Sequence, residues 1–289
     1  MFSKTAALCF IIGLSVSILP SQAATSVKIV SLDAYDVVYD SFSQRIYASV
    51  PSAAAAYGNN LAVIDPVSGV IEDSVFVGSD PQKLAVSGDG EYLYIGLNGA
   101  GSVSRFHIPS KTVETFSLGT GSDATTYAED IAVQPGNSKV IAVSRYRKGV
   151  SPRNYGVAVY DNGIKRPQQI SGANVIEFSD SPGVLYGYNN ETTEFAVRTL
   201  IVNDYGVSTA AAKSGLISGF GVDMEYADGF LYSTNGGVVN TQLMQLAGQF
   251  GVSGKLEPDP MVRRVFFADG ATLKAFNTTT YLLEGQETV

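Results

Sequence analysis

The residue types that carry most enzyme chemistry are scarce in this chain. Its 289 residues include one histidine, His107, one cysteine, Cys9, and no tryptophan. A zinc site needs three or four imidazole, thiolate or carboxylate ligands, most often His and Cys, so the usual His/Cys set cannot come from one chain. The Cys-x-x-Cys-His string that anchors a c-type haem is absent. A Ser-His-Asp triad would have to recruit His107. No Gly-x-Ser-x-Gly elbow supports one; Gly215-Leu-Ile-Ser-Gly219 lacks that spacing. The nearest phosphate-loop string, Gly119-Thr-Gly-Ser-Asp-Ala124, opens no helical pattern. The sequence therefore assigns no catalytic, cofactor-binding or metal-binding residue.

Two charged groups remain. Asp123, Glu129 and Asp130 are oxygen donors of the kind a loose Ca²⁺ site uses, but they read more simply as a solvated acidic loop. The stretch Arg145-Tyr-Arg-Lys-Gly-Val-Ser-Pro-Arg-Asn-Tyr155 gathers four cations and two tyrosines in a protein of net charge −8. Such a set suits an anionic ligand, a polysaccharide or an acidic protein loop. It equally suits a solvated loop whose cations pair with Asp123, Glu129 or Asp130.

The elements that position these groups repeat along the chain. A turn built on Asp, Gly or Pro followed by a short apolar strand recurs at Asp40–Tyr47, Gly88–Tyr94, Pro135–Ile141, Asp180–Tyr186, Ala227–Tyr232 and Asp259–Phe266. Phased on Ile46, Leu93, Val140, Leu185, Leu231 and Val265, the spacings are 47, 47, 45, 46 and 34 residues. Four of these match the roughly 40–50 residues of a four-stranded propeller blade. Period-two alternation divides the second unit into strands at 83–87, 93–96, 102–106 and 113–117. The Gly88-Asp-Gly90 turn supplies the positive φ a tight hairpin needs. The six phase residues should be buried between blades. His107 falls where Asp65, Asp161 and Asn277 end the third strand of their units, so it reads as a turn residue.

The stretch Val77-Gly-Ser-Asp-Pro-Gln-Lys-Leu-Ala-Val-Ser-Gly-Asp-Gly-Glu-Tyr-Leu-Tyr-Ile-Gly-Leu-Asn98 resembles the YVTN-type β-propeller repeat of bacterial and archaeal cell-surface proteins. The other units resemble it in the turn and in strands two and three. The resemblance implies an all-β propeller of four-stranded antiparallel blades. Six blade units are visible, and members of this type often have seven, so a seven-bladed ring lacking most of one blade is the favoured count. Ser26-Val-Lys-Ile-Val-Ser31 reads as a strand of the kind that closes such a ring by joining the last blade. The resemblance speaks for a scaffold rather than an activity. Quinoprotein propellers, with their Trp-docking repeat, do not fit a chain without tryptophan.

Residues 1–23 form a secretory signal pattern: Lys4, an apolar run from Ala6 to Leu19, and small residues before a cut at Ala24. The apolar run is short for a spanning helix. Residues 24–289 then form one β-propeller domain without cysteine, secreted, periplasmic or on the cell surface. With a pI near 4.7 it is a poor match for nucleic acid, and no later stretch is long and apolar enough to span a membrane.

In a propeller the loops joining strands two to three, and strand four to the next strand one, share a face. The long insertions Pro51–Asn60, Gly119–Glu129 and Arg145–Tyr155 all belong to those loops. The candidate binding face is therefore Tyr57, Tyr127, Arg145, Arg147, Arg153 and Tyr155, with a protein, polysaccharide or other anionic ligand as partner. The expected function is a non-catalytic binding or scaffold module. The alternatives are a lactonase-like hydrolase with a central-channel metal and a cell-envelope structural repeat of a larger protein.

Overall fold

The computed structural model describes residues 28–119 and 125–288; the leader assigned to residues 1–23 lies outside them. The described chain is all β, with 24 strands and no helix. Unit 1 comprises β1 (Asp36–Asp40), β2 (Arg45–Val50), β3 (Asn60–Ile64) and β4 (Ile71–Phe76). Unit 2 comprises β5 (Pro81–Val86), β6 (Tyr92–Leu97), β7 (Ser102–His107) and β8 (Thr112–Ser117). Unit 3 has β9 (Tyr127–Val133), β10 (Val140–Tyr146), β11 (Asn154–Asp161) and β12 (Ile164–Ile170). Unit 4 has β13 (Val175–Phe178), β14 (Val184–Tyr188), β15 (Ala196–Asn203) and β16 (Gly206–Ser214). Unit 5 has β17 (Met224–Ala227), β18 (Phe230–Ser233), β19 (Gly237–Asn240) and β20 (Gln245–Gln249). Unit 6 has β21 (Lys255–Asp259), β22 (Arg264–Asp269), β23 (Thr272–Asn277) and β24 (Leu283–Thr288).

The expectation of six separate blades needs correction. Units 1, 2, 5 and 6 are four-stranded antiparallel sheets, whereas units 3 and 4 form one eight-stranded sheet in the order β13-β14-β15-β16-β12-β11-β10-β9. The junction is a single parallel bridge, Gln168 to Gly206. Pro167 explains it locally. Proline has no N–H for the ladder and sits at bulges, and the β11–β12 register slips between Ala158 and Tyr160. The freed Gln168 amide donates to Tyr205 O at 2.7 Å. On the other side, Gly206 has φ +131°, and a Cβ there would lie 2.2 Å from Gln168 O. Only glycine allows that approach.

Within each unit the turn between the first two strands forms as its residues dictate. The Asp40 carboxylate accepts the amides of Phe42 and Ser43, and Gly90 takes φ +68°. Apolar clusters then fill the spaces between consecutive units; one joins Tyr47, Leu61 and Val77 to Leu93, Ile95 and Phe106. Five of the six phase residues are fully buried, and Ile46 is only partly so. Val140 is buried but on the wrong face. It packs with Leu185 and Leu200 of unit 4, whereas Leu93, Leu185 and Leu231 face the preceding unit. Ile141, which packs toward unit 2, is the true equivalent, because a one-residue slip exchanges the two faces of a strand.

The segment expected to form a strand at Ser26–Ser31 is also corrected. Residues 28–34 are not a strand. Val30 and Leu32 lie instead on unit 1, against the cluster of Ala48, Val50, Ala62 and Ile64. Lys28 is tied to Val67 O of the same unit at 2.5 Å. A cavity of about 1480 Å³ runs along the innermost strands and between Val37, Tyr39 and Ile46 of unit 1 and Met261 and Phe266 of unit 6. That opening explains why Ile46 is not fully covered.

Candidate functional site in the central channel

The first strand of each unit, β1, β5, β9, β13, β17 and β21, lines this cavity. Strand alternation places two layers of side chains in it. The register pairs Asp36 with Ser49, Asp130 with Ser144, Val175 with Tyr188 and Lys255 with Ala268. Asp36, Lys83, Asp130, Lys255 and Asp223, which directly precedes β17, form the layer nearer the long loops, while Val175 is buried in the core between units 4 and 5. Two residues further on lie Val38, Ala85, Ala132, Glu177, Glu225 and Glu257, opposite Tyr47, Tyr94, Ala142, Tyr186, Tyr232 and Phe266. The deeper layer is thus apolar over units 1–3 and carries one glutamate in each of units 4–6.

Lys83 is the centre of the upper layer. Its Nζ lies 3.7 Å from Asp130 Oδ1 and 3.6 Å from Asp223 Oδ2, and Lys255 Nζ lies 3.6 Å from the same Asp223 oxygen. Asp130 holds the Lys83 pKa well above the ordinary lysine value. Burial dominates the other way at Asp130, which is 7% exposed and whose pKa is raised to about 7, with Lys83 opposing the rise. Glu177 and Glu225 are pushed well up, first by burial and then by neighbouring carboxylates. Burial raises Glu257 as well. The channel therefore holds a permanent internal cation above a layer of carboxyls that keep their protons more tightly than free glutamates.

Asp36 and Asp130 also tie units together. Asp36 Oδ2 accepts the Leu84 amide at 3.0 Å, and Asp130 Oδ2 accepts the Ile176 amide at 2.8 Å. The serine opposite each donates to the same neighbouring unit: Ser49 Oγ to Gln82 O at 2.6 Å, Ser144 Oγ to Ala173 O at 3.2 Å. The same Asp/Ser pair thus links unit 1 to unit 2 and unit 3 to unit 4.

The candidate binding face divides into three places. The Tyr127 ring packs at a tilt against Tyr146, with centroids 5.5 Å apart, and Lys148 Nζ lies 4.0 Å from its centre. Arg153 lies over Tyr146 and bonds to Glu129 at 2.5 Å and Glu191 at 3.1 Å. With Tyr35, Glu191 and Phe220 it lines a mouth of about 470 Å³ above Lys83. Arg145, Arg147 and Tyr155 form a second group. The Arg145 and Arg147 guanidinium carbons lie 5.3 and 4.7 Å from the centre of the Tyr155 ring. Arg145 is not a loop residue: it closes β10 and is 2% exposed. Tyr57 stands on the loop of unit 1, two units away, with φ +59°. Of the acidic residues proposed to pair with these cations, Glu129 does so through Arg153, Asp130 faces Lys83, and Asp123 lies outside the described residues. Among the described residues no three His, Cys, Asp or Glu side chains group closely enough to hold a metal ion.

His107 behaves as a turn residue. Its Nδ1 contacts Ser110 Oγ at 2.6 Å and accepts from Ser110 N at 3.4 Å, and Nε2 faces Glu91 at 3.1 Å. Asp65 and Asn277 accept the corresponding turn amides in their units.

The sequence reading missed the channel, although a signal was present. Asp36, Lys83 and Asp130 recur every 47 residues, the repeat length itself. Charged residues in one phase of a propeller repeat converge on the axis.

No protein-family model and no curated protein matches the sequence. Solved structures do match in fold. Hydrazine synthase of Kuenenia stuttgartiensis is similar over 88% of this chain and 79% of its own, with a TM-score of 0.64 and 14% identity. A functionally unknown protein from Desulfotomaculum acetoxidans DSM 771 is similar over 89% and 86%, with a TM-score of 0.63 and 14% identity. At that identity the likeness establishes a propeller-like fold and nothing about activity.

Proposed function

We propose that this chain is an exported, non-catalytic β-propeller that works as a binding module, meeting its ligand on the long-loop face around the channel mouth. The observation that carries the reading is Lys83. A channel hydrolase of the lactonase type needs a cation at the convergence of its acidic ligands. Here the ammonium of Lys83 already lies between Asp130 and Asp223. The protein supplies its own cation, and a divalent ion would have to displace it.

The mouth above it has the features of a recognition site: a concave space, exposed aromatic surface at Phe220 and charged groups held by ion pairs. The leader pattern supports export. The repeat in residues 77–98 supports a YVTN-type origin and is equally compatible with a structural repeat of the cell envelope.

The test is metal dependence. Millimolar Ca²⁺ or Zn²⁺ should leave the melting temperature unchanged, because only a ligand that binds the folded state raises it. A metal-dependent rise, accompanied by metal-dependent lactone hydrolysis, would replace the binding module with the hydrolase.

A further inference from the structure

The cation cluster on the outer part of unit 3 is the group that the channel does not use. Arg145 leaves β10 opposite Gly156, which offers no side chain to block its path. Its Nε donates to Gly156 O at 3.4 Å, and its Nη2 reaches Gln169 Oε1 of β12 at 2.7 Å. The bulge around Pro167 brings Lys165 to the same place, and Lys165 Nζ donates to the same Gln169 oxygen at 3.1 Å. Two positive groups thus share one neutral acceptor and are no farther apart than those two bonds laid end to end. Arg147 adds a third charge on the Tyr155 ring. Its Nε is buried and has no hydrogen-bond partner among the described residues.

None of the three cations is ion-paired with a carboxylate among the described residues. This contrasts with Arg45, Arg105, Arg153, Arg166, Arg198 and Arg264, each of which has one. Burying a guanidinium against neutral acceptors beside a second cation is unfavourable unless a negative charge completes the site. Burial and Arg145 together hold the Lys165 ammonium below its ordinary pKa. Lys165 and Gln169 are exposed, so the cluster opens to solvent.

We propose that Arg145, Arg147 and Lys165 form a site for one oxyanion carried by the ligand: a carboxylate, sulfate or phosphate group. The proposal rests on the binding-module reading and deepens it by naming the charge the ligand presents. Arg145 and Arg147 offer N–H donors in fixed planar forks, the geometry that suits oxyanions. Lys165 adds a mobile ammonium at the rim. Gln169 holds Arg145 and Lys165 in place while the site is empty.

The experiment is calorimetric titration of the full chain with inorganic sulfate and inorganic phosphate, at ionic strength held constant with chloride. A sulfated disaccharide is titrated in parallel. The wild type should bind one oxyanion per chain with saturation by on the order of 10 mM. The Arg147→Gln/Lys165→Gln double variant should bind at least about tenfold more weakly, because charge-assisted bonds are lost. Lys165→Gln alone, at an exposed position, serves if the double variant does not fold. Tighter binding of the disaccharide than of sulfate identifies a ligand-borne group, and equal binding identifies the free ion. Absence of saturable binding, or equal binding by wild type and variant, overturns the proposal. Neither result bears on the metal test, so failure of the oxyanion site and failure of the binding-module reading can be told apart.

Discussion

Replacing Lys83 with methionine should cost about 3 kcal/mol of stability at pH 8.5 and much less at pH 5. Methionine keeps the length and apolar stem of the lysine and removes only its charge. Each of the two ion pairs, at 3.7 and 3.6 Å, is worth about 4.5 kcal/mol in gross attraction at an effective dielectric near 20. Desolvation of the ammonium offsets much of that. Breaking a buried pair by removing one partner costs roughly 3–5 kcal/mol, and Lys83, with its side chain 26% exposed, belongs at the lower end. The pH dependence follows from Asp130. Its pKa is already raised to about 7 by burial, and Lys83 is the group that opposes the rise. Without Lys83 it rises further, so at pH 5 the carboxyl is neutral and no buried charge is stranded. The loss should then shrink to about 1 kcal/mol. Urea unfolding at the two pH values measures both numbers by linear extrapolation. A loss below about 1 kcal/mol at pH 8.5, or the same loss at both pH values, would refute the view that Lys83 is the channel's cation.

Three further outcomes are expected. The raised Glu177 and Glu225 carboxyls hold protons in the folded state that the unfolded chain releases above about pH 4.5. Their contribution is therefore full below that pH and is lost as pH rises through their folded values. Glu177→Gln/Glu225→Gln should flatten the fall in melting temperature between pH 5 and 8 seen by scanning calorimetry; an unchanged slope would mean the two ionise as ordinary glutamates. His107→Asn should shift the melting temperature by no more than about 1 °C, since asparagine makes the same turn bonds at Asn277; a larger loss would show that the Glu91 contact matters. Gly206→Ala should destabilise by about 2 kcal/mol or more, because φ +131° and the Gln168 backbone both exclude a Cβ. Hydrogen exchange should show faster loss of the Gln168 amide while β5–β8 keep their protection, and uniform protection would argue against the bridge.

Much of the fold was legible in local terms. Alternation in 83–86 and 93–96, and the Asp-Gly turn between them, specify a hairpin whatever lies around it. The recurrence near 47 residues implies an array. His107 could be read as a turn residue because Asp65 and Asn277 hold the same place in their units. What failed were judgements of face and partner. Phasing unit 3 on Val140 rather than Ile141 is a one-residue error that the apolar pattern does not penalise, since both residues are buried. The 28–34 segment has a strand-like composition, yet it packs on unit 1 because Ala48, Val50, Ala62 and Ile64 leave an apolar face to cover. Arg145 reads as a loop cation and is a buried strand residue, since its surroundings come from β11 and β12.

The sequence by itself determined the elements: twenty-four short strands, the turns between them and the period that stacks them. Those depend on neighbours a few residues apart, through alternation, turn φ and side-chain capping. The channel was decided only by tertiary structure. Asp36, Lys83, Asp130 and Asp223 each read locally as a single charge near the start of a first strand, with no ion pair to an opposite charge inside their own unit among the described residues. Arrangement of the sheets around one axis brings strand starts 47 residues apart to within 4 Å of one another. Only there, out of bulk water, do Lys83 and Asp130 acquire the pairing and the shifted proton affinities that make them a site.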